Sequence, residues 1–170
     1  MMVSSAGLLI IDRAAPIAAA FGAPAVLGLM VAVFNGLGRL LFGSLIDRFD
    51  RSITLYINSA TLLVAGFSLY FGAVWHSAPL IFAGLTLTGM SYGGLPSMNA
   101  YIGNKTFGPT FYPMNISIIM FNMLPSSFIG PMISSLLFMR SGGVYNSNFI
   151  MIIGFAVITF AFNKAMDKFA

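Results

Sequence analysis

Residues 35–52 read NGLGRLLFGSLIDRFDRS. The run from 25 to 46 is apolar and about as long as a bilayer crossing requires, roughly 20 residues for a ~30 Å hydrocarbon core. Arg39 nevertheless stands inside it, eight residues before Asp47. On a helix that separation is about 12 Å, which puts the guanidinium near mid-membrane. A charge at that depth costs ~2.5–3.5 kcal/mol on insertion scales. It belongs against protein or in a water-filled crevice, and not against acyl chains.

The rest of the chain agrees with a lipid solvent. Of 170 residues 58% are hydrophobic and 7% charged, and the mean hydropathy is +0.93. A soluble domain carries roughly 25% charged residues, so this chain lacks the polar groups to cover itself in water. The four acids are all Asp, and the net charge is +4. Its eight basic residues occur singly or in pairs and form no patch, which excludes nucleic acid as a partner. With no Cys there are no disulfides, thiolate chemistry or Cys-based metal sites.

Six spans are predicted, at about 1–21, 25–46, 53–74, 79–102, 109–138 and 145–163, in a single all-α transmembrane domain covering 1–170. The breaks are Gly22-Ala23-Pro24, Asp47 to Arg51, Trp75-His76-Ser77, Gly103-Asn104-Lys105 and Arg140 to Gly143, with a polar tail from Asn163. Unpaired backbone groups in lipid make helices obligatory, and the runs are too long and continuous for barrel strands. The first run, Met1 to Ile11, has no basic segment before it and is read as part of a retained span, not a cleaved signal. Six spans put both termini on one side. Arg48, Arg51, Lys105, Lys164 and Lys168 fall on that side and only Arg140 on the other, so the termini are expected in the cytoplasm. The expected location is a bacterial inner (plasma) membrane, as a multi-pass protein.

Gly28, Ala32, Asn35, Gly36, Arg39, Gly43 and Asp47 recur at spacings of three and four and share one stripe of the second helix. Small residues there admit close approach of another helix. Arg39 then either holds an anionic group through its planar fork of donors, with Asn35 one turn earlier adding a hydrogen bond, or is a structural arginine paired inside the protein. Asn115, Asn122 and Ser126 are seven and four apart on span five, and either line the same cavity or serve as interhelical hydrogen bonds. Pro113, Pro125 and Pro131 favour kinks in that span. The glycine-rich run from Gly84 to Pro96 is read mainly as close packing, with Tyr92 turned inward. Asp12-Arg13 is read either as cavity-lining or as a locally neutralised pair near the outer end of span one, and His76 as a solvated loop residue. No metal site, cofactor motif or nucleophile–base pair is present in the sequence.

These residues also carry a resemblance. GSLIDRFDR, Gly43 to Arg51, resembles the loop signature of the major facilitator superfamily, with Asp50 where that family prefers glycine and Ser52 where it prefers a base. Four further stretches resemble the oxalate/formate antiporter group within it, in the group's order. AGLLIIDRAAPIAAAFG (6–22) is similar to the second half of its seventh helix and FNGLGRLLFG (34–43) to its eighth. MSYGGLPSMNAYIGNKTFGP (90–109) is similar to its tenth and SSFIGPMISSLLF (126–138) to its eleventh. The resemblance implies the carboxy-terminal six-helix half of a twelve-helix carrier, whose partner is a second six-helix half or a second copy. Substrate would sit between the halves near the midplane, with alternating access by rocking. It implies that Arg39 binds carboxylate. It also implies that Gly43, Asp47, Arg48 and Arg51 belong to a cytoplasmic latch loop, against the alternative of topology-setting interfacial charge; for Arg51 the two stay open.

The oxalate-specific members carry a second cation, a lysine in the eleventh helix, whereas this chain has no basic residue between Lys105 and Arg140. One cation suits a monocarboxylate better than oxalate. The expected function is therefore transport of a small organic anion, without catalysis or cofactor, by a half-length or truncated carrier. The alternative is a non-transporting membrane subunit or an inactive remnant. An intramembrane enzyme would need paired acids or a nucleophile at bilayer depth, and Asp12 is the sole approach to one.

Overall fold

A computed structural model describes residues 2–21 and 26–167. The Gly22-Ala23-Pro24 break and Lys168 lie outside the described residues. The described chain is all-helical, without strands: α1 (Met2–Ala20), α2 (Val26–Arg48), α3 (Arg51–Val74), α4 (Ala78–Met120), α5 (Met123–Arg140) and α6 (Asn146–Asp167). Five stretches among the described residues are long and apolar enough to cross a membrane: Val3–Ala20, Met30–Arg48, Arg51–Val74, Thr110–Arg140 and Asn146–Met166. The protein is thus a multi-pass helical membrane protein.

The first limb of α4 is not among the five. Gly84, Thr86, Thr88, Gly89, Ser91, Gly93 and Gly94 dilute its hydropathy, and these residues are all buried. It is the central helix, packed by α1, α2 and α3, so neighbouring helices replace lipid around it. Two of its hydroxyls are absorbed locally, Thr88 donating to the Gly84 carbonyl at 2.8 Å and Thr86 to that of Ala83 at 2.9 Å, whereas Ser91 donates across to the Asn58 carbonyl of α3 at 3.4 Å.

Contact pairs set the directions. Gly89 meets Val31 and Gly94 meets Phe42, so α2 and α4 run parallel. Gly7 meets Tyr92, Gly84 meets Leu69 and Gly72 meets Ile81, with Gly130 against Ser5. Successive helices therefore alternate in direction, with α3 and α6 paired antiparallel through Gly66 against Ile153 and Asn163 against Ser59. The shared core is built from Leu9, Ile10, Ile17, Leu62, Leu69, Leu85, Phe149 and Ile152, all fully buried.

One boundary differs from the expectation. The expected loop at 103–108 is helical to residue 107, and the chain reverses at Gly108, whose φ of 69° and ψ of 169° lie in a region open essentially to glycine alone. The limbs 78–107 and 109–120 form a hairpin, with Ile116 and Ile119 of the returning limb packed over Gly103. The returning limb continues through Phe121 and Asn122, both in right-handed helical dihedrals, into α5. The expected polar tail at 163–167 is likewise the last turn of α6.

Elsewhere the turns follow local rules. A two-residue link, Phe49-Asp50, joins α2 to α3, with Asp50 extended. His76 takes φ 48° after α3, and the following Ser77 N–H returns to the Gly72 carbonyl at 2.9 Å. Gly142 and Gly143, both at positive φ, close α5 as the Gly143 N–H bonds the Phe138 carbonyl at 3.0 Å.

Candidate functional site

α2 presents three faces. Val31, Gly38, Phe42 and Leu45 point into the protein. Val33, Leu37 and Leu40 are 52%, 43% and 70% exposed and form a bulky apolar face suited to lipid. Ala32, Gly36 and Arg39, spaced four and three apart, form an exposed face of small residues with the guanidinium as its largest group. Half-buried Asn35 and Gly43 border it.

Two close approaches hold this stretch against α4. A Cβ on Gly93 would fall on the Asn35 backbone and one on Gly38 on the Met90 backbone, so the helices touch main chain to main chain. The Ser97 hydroxyl donates to the Arg39 carbonyl at 3.1 Å. Arg39 is thus fixed at its backbone while its side chain projects outward. Among the described residues no carboxylate lies within 4.0 Å of it; the one ion pair is Arg13–Asp12, at 3.2 Å. The Tyr92 ring, on α4, fills the space left by Gly7 of α1.

The other predicted site residues are placed differently. α5 packs on α1 and α6, and α1 packs on both α2 and α5. Ser126 is buried and donates to the Asn122 carbonyl at 2.8 Å. Asn122 donates to the Ile119 carbonyl at 2.6 Å, and its Oδ1 is buried without a hydrogen-bond partner. Asn115 donates to the Phe111 carbonyl at 3.0 Å. It lies on the short returning limb, one residue from Ile116, which faces Gly103 near the hairpin tip. The three therefore spend donors on their own helix, and Asn115 stands well down the hairpin from Arg39.

Asp47, Arg48 and Asp50 are exposed and Arg51 half-buried, with no ion pair between any of them and another described residue. Gly43 faces Ser97, whose Cβ would be 3.7 Å from a Cβ built there. The Asp12–Arg13 pair neutralises itself, and Arg13 also donates to the Ser135 hydroxyl on α5 at 3.0 Å. His76 is exposed, its ring 6.1 Å from that of Phe21.

Two cavities lie at the Asp47 end of α2, and Arg39 lines neither. One, of about 570 Å³, is bounded by the start of α3 and by Tyr101 to Thr106 of α4. The other, of about 470 Å³, is mostly apolar and lies between α1, α3, α4 and α6, with Asn99 and Asn163 on its wall. Sequence reasoning missed Ser97 and the first cavity; their partners are 58 residues away for Ser97 and on separate helices for the cavity, so no local signal marks them. Among the described residues no group of His, Asp or Glu is arranged to hold a metal.

No known protein family matches this chain, and comparisons with curated proteins and with solved structures find no match either.

Proposed function

We propose that the chain is a transport domain for a small organic anion, a monocarboxylate, with Arg39 as the cation that receives it. The reading takes the chain as one six-helix half of a facilitator-type carrier, working by alternating access against a second half or a second copy. The observation that carries it is the unpaired Arg39 guanidinium midway along an apolar helix, on an exposed small-residue face, with no acid in reach among the described residues. A purely structural arginine would be expected to have an acid or carbonyls around its fork. The self-contained Asp12–Arg13 pair supports a single ligand cation, and hence one carboxylate rather than two. Asn35, one turn before Arg39, is the polar neighbour that would orient the anion, and Asp47 and Arg48 are the groups that would latch the cytoplasmic side in one state of the cycle.

The test is uptake of radiolabelled formate, acetate, lactate and oxalate into vesicles containing the chain. Losing a charged hydrogen-bond partner costs about 1.5–3 kcal/mol, so Arg39→Ala should lower uptake by roughly 10- to 100-fold while the protein still inserts. Arg39→Lys, which keeps charge but not the planar fork, should fall between. Normal uptake by Arg39→Ala would make the arginine structural. No uptake by the unaltered chain would favour the second reading, a non-transporting membrane subunit.

A further inference from the structure

The cavity beside the start of α3 has a chemistry that the Arg39 site does not use. Arg51, in the first turn of α3, and Lys105, on the outgoing limb of α4, both line it. Asp50 lines it too, but forms no ion pair with either cation. The wall therefore carries two cations and one acid. Lys105 is held there by Tyr101, one turn earlier: its amine donates to the Tyr101 hydroxyl at 3.5 Å and stands 5.6 Å from the ring centroid. Ile53 and Ile102 make the wall partly apolar. The cavity sits where α2 leaves its apolar run, so charged and apolar walls meet at the level of the membrane surface.

We propose that this cavity binds a phosphate group, held between the Arg51 guanidinium and the Lys105 ammonium. Arg51 offers a planar fork suited to two phosphate oxygens, and Lys105 a compact charge. The Tyr101 hydroxyl adds a third donor from the same wall. The phosphate is carried either by the headgroup of an acidic phospholipid, whose glycerol end would meet Ile53 and Ile102, or by a free phosphate ion. The site is separate from the Arg39 face, so its test does not depend on transport.

The experiment measures binding to the purified chain. One arm incorporates it in nanodiscs of phosphatidylcholine with and without phosphatidic acid, and reads retained lipid by native mass spectrometry. The other titrates inorganic phosphate in detergent. Each basic residue near an anionic headgroup contributes about 1 kcal/mol, so R51Q and K105Q should each weaken binding by about 5-fold or more. R48Q removes a cation from the neighbouring helix end but not from the cavity wall, and should change it little. K105R keeps the charge and should retain binding, which separates loss of the site from loss of the fold. Selective retention of phosphatidic acid without phosphate binding assigns the lipid source, and binding of both assigns the phosphate group itself. Absence of binding in both arms overturns the site. So does an R48Q loss equal to that of R51Q, or a K105R loss equal to that of K105Q.

Discussion

Gly93→Ala probes the contact that positions Arg39. A Cβ at 93 would lie 2.8 Å from the Asn35 carbonyl carbon and 2.9 Å from its Cα, with the carbonyl oxygen closer still. Ordinary carbon contacts are about 3.5–4.0 Å, so α2 and α4 must separate by about 1 Å. The neighbours are helix backbone and cannot rotate aside as a side-chain tip can. Overpacking of this kind costs about 1–3 kcal/mol. Gly154→Ala, at an exposed position of α6, is the matched control, because a Cβ there meets nothing within 4 Å. That change should stabilise by about 0.5–1 kcal/mol through helix propensity alone. The two variants are therefore expected to differ by about 1.5–4 kcal/mol, with opposite signs relative to the parent. Far-UV circular dichroism during SDS titration of detergent-solubilised protein measures the difference. A Gly93→Ala protein as stable as Gly154→Ala would mean that α2 and α4 do not meet main chain to main chain, and the placement of Arg39 would fall with that contact.

Gly108→Ala puts a Cβ at φ 69°, ψ 169°; the expected cost is of order 1–3 kcal/mol, seen in the same titration, and an unchanged midpoint would rule out a single-residue reversal. Asn163→Ala removes bonds of 2.9 Å to Ser59 and 3.2 Å to the Leu55 carbonyl. Interhelical bonds in membranes average ~0.6 kcal/mol with a maximum near ~1.7, and a double-mutant cycle with Ser59→Ala should return a coupling in that range; a coupling of zero would refute the α3–α6 register.

The helical character was readable from the sequence because lipid leaves few alternatives: an apolar run of the right length must be a helix. A lone arginine inside such a run draws attention to its position, but hydropathy does not say what its side chain meets, and Arg39 lies on an exposed face that lines neither cavity at the Asp47 end. The α4–α5 boundary was not readable in the same way. Gly103-Asn104-Lys105 marks where the apolar run ends, and hydropathy reports the surroundings of a residue, not its dihedral angles. The helix continues past those polar residues, with the tips of Ile116 and Ile119 resting on Gly103, and it stops at Gly108, where the backbone leaves helical space. Asn115, Asn122 and Ser126 share a face by spacing, but each donates to its own backbone. Periodicity shows which side of a helix a residue is on and says nothing about how its donors are used.

The exposed small residues of α2 bear on the same question from another side. Glycine in a helix interior costs roughly 0.5–1 kcal/mol relative to alanine, and most glycines here recover that cost by letting a neighbouring helix or side chain in. Gly36 does not, since a Cβ there meets nothing within 4 Å. Its exposed neighbours on the face are Ala32 and Arg39, beside the bulky Val33, Leu37 and Leu40. If both faces met only acyl chains, nothing would distinguish them, and a charge would sit on the one with the least apolar cover. The difference makes sense if the small face borders water, an anion or another helix. An alanine at 36, one turn before Arg39, would add bulk to the guanidinium's face while its Cβ meets no other described residue within 4 Å.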